Sequence, residues 1–539
     1  MRRTPIIAIM TVLALTQVLG AEGLGIRQAE LDNGLKLVVL PIDGVPRVEC
    51  RLVYNVGSAD DRPGMTGMAH FLEHMMMNGS QTFGSKDWDK ENRELEKLDI
   101  IADELMATEE RIEDNARAGK APNEDLLDRR DQLKDEFEEQ EKICSGLVDD
   151  VNVFANAGAS SINAFTSADL TAYQATMPTN TLELFFWVHA DLMRNCAFRD
   201  FYTEREAVLE ERRRAIERDK RRLYEQTNAL VWEAVPYRNP NLGWPDDVRA
   251  IKRRQMIEHY HKYYVPNNAA LILTGDITME RATDLASRYF GAIPRAPAPP
   301  RLYTRNAIPA GEKFLYAEER DRPSVQVLYE TVPGHHADTL ALDMLSDWLG
   351  SASGPLYKKL VINEQLAVSV NAGHGSMKLG GMFRIRAAVR EAGRHEQLNR
   401  RINEIVEAVL KGDKEAAPKQ EDIEAFAARL ERMLTEQLTD MKSAAETLVY
   451  SVFSSGVEMF ERVVTEARAL TPDTVLKRAA VYLVPQRRTT VHVTPPGSGA
   501  VPDPKAGTIA ELVRRLSEEQ DPDRRRELER LVAKLRDEK

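Results

Sequence analysis

His70, Glu73 and His74 stand in the order H-x-x-E-H. On a helix His70 and His74 lie one turn apart and share a face. Two imidazoles so placed can hold one metal ion from the same side. Glu73 beside them can take a proton from a water on that metal, while Phe71 and Leu72 face elsewhere and can anchor the helix in a core. The order inverts the commoner zinc-protease motif. Zinc in a catalytic site takes three protein ligands and keeps one open position, so a carboxylate from elsewhere in the chain must complete the set. The charged segment 201–219 offers candidates. Glu204 and Glu211 are seven apart and share a helix face. A merely solvated face with ion pairs to Arg212–Arg214 is the other reading of that segment.

The elements around these residues follow from pattern. Leu31-Asp32-Asn33-Gly34-Leu35 is a turn signal between strands, and Val48–Val56 is a further strand. A Gly/Pro loop over 57–64 leads into the metal helix. Residues 162–167 and 170–176 alternate as paired strands. His189 lies among Phe185, Phe186 and Trp187 in an amphipathic helix over 181–193, which suits a core histidine. His259 and His261 are two apart and diverge on a helix, so they do not form a metal pair. Between about 85 and 144 the chain is dense in charge. Leu98, Leu105 and Ile112 recur every seven residues, followed by Leu126, Leu133 and Gln140. Gly119–Pro122 divides the two halves, so the stretch reads as an antiparallel helical hairpin.

Composition bounds the rest. The 539 residues are 43% hydrophobic and 29% charged, ordinary for a soluble protein of two or three domains. The net charge of −12 argues against nucleic acid as partner. Met1-Arg2-Arg3 followed by the apolar run Ile6–Leu19 predicts a secretory signal peptide over 1–21, with a retained anchor as the other reading. The expected location is therefore a bacterial periplasm or exterior, with no membrane span in the mature chain. Cys50, Cys144 and Cys196 are too few and too scattered for a disulfide framework. Pro/Ala-rich linkers at 294–300 and 495–504 divide the chain into 26–293, 301–495 and a tail over 496–539, which is linker and charged helix, with Asp521-Pro522 opening the helix.

At this point the chain resembles the insulinase-like, or pitrilysin-type, M16 zinc metallopeptidases. Gly67–Met75 with Gly79-Ser80 is similar to the family's zinc helix. Asn163-Ala164-Phe165-Thr166-Ser167 is similar to its substrate-binding edge strand, and Tyr202–Glu211 to the helix that carries its last ligand. The resemblance implies an α+β fold: two similar domains, each an antiparallel sheet with helices on one face, plus the inserted hairpin. It implies Zn2+ held by His70, His74 and Glu211, with Glu73 as general base. It makes Glu204 a carboxylate that supports catalysis without binding the metal. Asn163 and Ala164 would receive a peptide substrate as an added strand. The implied activity is an exported zinc endopeptidase acting on peptides or unfolded chains; a non-catalytic assembly subunit of the same fold is the alternative.

Two departures stand out. The 136 residues between His74 and Glu211 exceed the family's spacing by about the length of the hairpin, which reads as a separable insertion. The family's second half carries an Arg and a Tyr that contact substrate; Val361 and Val368 stand there instead. The resemblance implies a dimer, and the two valines point to a heterodimer with a related chain that supplies Arg and Tyr. A homodimer is the rival.

Overall fold

The computed structural model describes residues 19–21, 24–148, 152–218, 221–496, 512, 516 and 521–537. The expected leader lies outside these, apart from Leu19–Ala21, whose backbone pairs with 26–28. The linker expected at 495–504 is likewise outside beyond residue 496.

The chain forms two compact units. The first comprises 1–215, 239–302 and 435–461, and the second 216–238, 303–434 and 462–539. Residues 216–238 and 435–461 thus fall on the other side of the boundary expected at 294–300.

The strands of the first unit are β1 (Leu19–Ala21), β2 (Ile26–Glu30), β3 (Lys36–Pro41), β4 (Arg47–Tyr54), β5 (Ser160–Thr166), β6 (Thr171–Pro178) and β7 (Ala269–Gly275). They form one sheet in the order β1-β2-β3-β7-β4-β6-β5. All neighbours are antiparallel except β3 and β7. The second unit holds β8 (Lys313–Glu318), β9 (Ser324–Thr331), β10 (Ala367–Ser376), β11 (Gly381–Val389) and β12 (Arg488–Thr494), in the order β10-β11-β9-β12-β8. Read from β3 and from β8, the two sheets have the same strand order and the same single parallel pair. The expected pair of similar α+β domains is therefore present.

Helices do not keep to one face of the first sheet. Leu52 and Val53, adjacent on β4 and pointing to opposite faces, are both at 0% exposure. The helix Met441–Ser451 covers the second face: Thr274 Oγ1 donates to the Met441 carbonyl, and its Ala444, Ala445, Leu448 and Val449 are buried.

The first face carries the helices that matter for the site. These are α1 (Met68–Met75), α2 (Trp88–Arg117), α3 (Glu124–Ser145), the short α4 (Val153–Asn156), α5 (Leu182–Asn195) and α6 (Phe201–Arg218). The hairpin of α2 and α3 forms as its heptads require. Leu98, Leu133 and Gln140 are buried on the seam, and Asp87 and Asn123 cap the two helices by accepting from Lys90 and Leu126 N–H.

The base of the hairpin packs into the first unit, whereas the insertion expected from sequence takes in the whole of 85–144. Leu95, Leu98, Ala102 and Cys144 belong to the core of the first unit. Glu91 forms a fully buried ion pair with Arg199 at 2.8 Å. Asp99 accepts from Tyr202 Oη and Arg253. Nothing in the heptad spacing distinguishes the base, which packs on the body, from the tip, which does not.

All three cysteines are free and buried. Among the described residues no helix is long and apolar enough to cross a membrane. The tail helix spans Pro522–Asp537, with Asp521 accepting from Arg524 N–H at its start.

Candidate metal centre

The site is assembled by two helix starts. Gly67, at φ +88°, turns the chain into α1. The buried Asp61 accepts from Gly67 N–H at 2.8 Å and Ala69 N–H at 3.0 Å, satisfying donors that have no partner inside a helix. A Cβ on Gly67 would come within 2.9 Å of Gly243 Cα, so the loop around 243 also fixes the entry. From that start Phe71 and Leu72 point into the core at 0% exposure, and Phe71 packs on Phe201 at 4.8 Å between ring centroids. The Phe71–Phe201 contact sets α6 beside α1. Their polar faces meet there.

His70, His74 and Glu211 converge. Each offers a ligand atom, and these atoms lie within 4.8 Å of one another; it is the group of this kind found among the described residues. Glu211 Oε2 is 3.5 Å from His70 Nε2 and 3.5 Å from His74 Nε2. A tetrahedron with the ~2.0–2.1 Å bonds that zinc makes to nitrogen and oxygen has an edge of about 3.3 Å. The donor set and its spacing therefore fit zinc, with one position left open.

The supporting contacts are specific. His74 Nδ1 faces Glu204 Oε2 at 3.2 Å, which leaves Nε2 for the metal. Asn78 Nδ2 donates to the other oxygen of Glu204 at 3.2 Å. Burial lowers the pKa of His74, but hydrogen bonds to Glu204 and Glu211 outweigh it and hold it up to about 9. The His74 hydrogen bond holds Glu204 below the ordinary carboxylate value. Glu73 is 8% exposed and raised by burial, with the hydrogen bond from Thr166 opposing.

The remaining sequence-based residues fall as follows. Asn163 and Ala164 lie on β5, the edge of the sheet, opposite Gln174 and Tyr173. Asn163 is exposed and Ala164 half-buried. His189 is buried against Phe185 and burial pushes it down to about 3, as suits a neutral core histidine. Val361 sits in a π-turn over Tyr357–Asn363, and Val368 is exposed on β10. Three contributors were not read from the sequence: Asn78, Asp61 and Thr166. Thr166 donates to Glu73 Oε2 at 2.6 Å.

The family model described as insulinase (peptidase family M16) matches residues 37–101 and 149–243, and that of the M16 inactive domain matches 250–430. The chain belongs to the insulinase-like M16 family. The first match breaks over 102–148, so the start of α2 is family core and the extra length begins where the hairpin leaves the body. Among curated relatives, the zinc protease PqqE of Helicobacter pylori is 24% identical over 71% of this chain and 74% of its own. The probable zinc protease PqqL of Escherichia coli is 23% identical over 49% of this chain and 23% of its own. A crystal structure of a protease from Helicobacter pylori superposes with a TM-score of 0.67 at 20% identity, covering 87% of this chain and 99% of that one. Pitrilysin gives 0.62 at 16%, covering 87% of this M16 chain and 45% of its own.

Proposed function

We propose that this M16 chain is a zinc-dependent endopeptidase. The observation that carries the reading is the convergence of His70, His74 and Glu211 beside the buried carboxylate of Glu73, which lies on the helix of the two histidines. Zinc bound there would acidify a water and polarise a peptide carbonyl. The chain's own residues do the rest. Glu204 orients His74. Glu73 receives the proton of the attacking water at Oε1, the oxygen that Thr166 leaves free, and returns it to the leaving amine nitrogen. The open edge of β5 offers backbone N–H and C=O groups to an extended peptide, which favours peptides and unfolded chains over any one sequence. Val361 and Val368 can neither donate a hydrogen bond nor stabilise an oxyanion, which supports a heterodimer with a related chain carrying those donors. Export to the periplasm completes the reading, in keeping with the likeness to the periplasmic protease PqqL of Escherichia coli.

The test is metal content. Wild-type protein dialysed against zinc should hold one ion per chain, and His70→Ala and Glu211→Ala should lose it. Stoichiometric zinc in both variants would place the metal elsewhere.

A further inference from the structure

Thr166 is the one side chain among the described residues that hydrogen-bonds Glu73. It closes β5, pairing with Thr171 across the turn. Its hydroxyl has one proton. Thr171 Oγ1 lies 3.3 Å away, but the proton of Thr171 goes to the Val56 carbonyl at 3.0 Å. Thr171 Oγ1, at 0% exposure, is thereby an acceptor that competes for the Thr166 proton, but it is the farther of the two and a neutral hydroxyl, whereas a carboxylate is the stronger acceptor. The Thr166 proton is thus directed to Glu73 Oε2, at 2.6 Å. The β-branched side chain has few rotamers, so the direction is held.

We propose that Thr166 is a positioning residue for Glu73, and that it couples the base to the strand on which substrate lies. The proposal rests on Glu73 being the base. By fixing Oε2, Thr166 presents Oε1 to the attacking water. Because Thr166 shares β5 with Asn163 and Ala164, a peptide that pairs with this edge is placed in register with the same carboxylate. One rigid strand then sets both the scissile bond and the base.

The experiment compares Thr166→Val, which keeps the branch and loses the donor, with Thr166→Ser, which keeps the donor. Both are made in wild-type and Glu73→Gln backgrounds, loaded with zinc, and assayed on fluorophore-quenched casein. Thr166→Val should lose about 10–100-fold in kcat with KM and zinc content unchanged, the scale of a misplaced catalytic group. Thr166→Ser should recover to within about threefold. In Glu73→Gln, Thr166→Val should cost nothing further. In a crystal structure of zinc-loaded Thr166→Val, the Glu73 carboxylate should occupy a second rotamer. Thr166→Val with wild-type kcat, an equal loss in both backgrounds, or an unmoved Glu73 carboxylate would each overturn the proposal. Full activity in Glu73→Gln alone would instead overturn the reading of Glu73 as base.

Discussion

Removing the Glu91 carboxylate should strand a charge in the core and loosen the metal centre from behind. Glu91 is at 0% side-chain exposure and Arg199 at 1%. Glu91 accepts from Arg199 Nε at 2.8 Å and Nη2 at 3.4 Å. The same guanidinium donates to the carbonyls of Asn78, Ser80 and Phe83, so it also pins the loop that follows α1. In Glu91→Ala the guanidinium stays buried without its counter-charge. Breaking a buried pair in this way costs about 3–5 kcal/mol, which at about 2.1 cal/mol/K per residue lowers the melting temperature of a unit of this size by roughly 5–8 °C. The fold should survive, since domains carry about 5–15 kcal/mol. The consequence reaches the metal because the Asn78 side chain holds Glu204, and disturbing such a supporting contact costs about 10–100-fold in metal affinity. Thermal melts with and without zinc measure the first effect, and competition with a zinc-responsive dye measures the second. Glu91→Ala/Arg199→Met removes the stranded charge but leaves three carbonyls without their donor, so it should recover only part of the loss. A Glu91→Ala loss under about 1 kcal/mol would mean that the hairpin base is not welded to the site helix.

Other outcomes follow from the same structure. Deleting the hairpin tip over 106–130 should leave a folded, zinc-binding protein, whereas replacing 90–145 should not, as read by circular dichroism and zinc content. Gly67→Ala puts a side chain at φ +88° and within 2.9 Å of Gly243, so it should cost about 1–3 kcal/mol and reduce zinc uptake. His74 is held at about 9, above its ordinary 6.5, so in zinc-free protein it contributes stability below pH 6.5 that is lost as pH rises through 9. Urea midpoints in chelator should show this loss in wild type and a smaller one in Glu204→Gln, where Glu211 still holds His74 up. His189, at about 3, works in the opposite sense. Its unfolded form takes up a proton first, so stability is lost as pH falls from 6.5 toward 3, and His189→Leu should flatten that limb.

The histidine pair was legible from local geometry, whereas Glu211 as the third ligand came from the family resemblance, because spacing alone offered Glu204 and Glu211 equally. One helical turn sets His70 and His74, and two turns set Glu204 and Glu211. Which face of each helix is polar follows from the apolar residues beside them. The two sheets were legible through alternation and turn residues, and their repeat through family resemblance. What joins distant segments was not legible. Glu91 and Arg199 are 108 apart in sequence and sit in charged runs that look alike from end to end. Nothing in the local pattern of 441–451 shows that this helix packs on the first sheet. Thr166 lay within a motif already singled out for Asn163 and Ala164. Its role depends on strand register and on where the Thr171 proton goes, and spacing does not carry either.

The most direct test of the central claim is the turnover of quenched casein by zinc-loaded Glu73→Gln, with metal content measured on the same sample. The amide cannot take up the water's proton, while the three ligands are untouched. One zinc per chain with turnover reduced at least ~10²-fold is the expected result. One zinc per chain with wild-type turnover would contradict it.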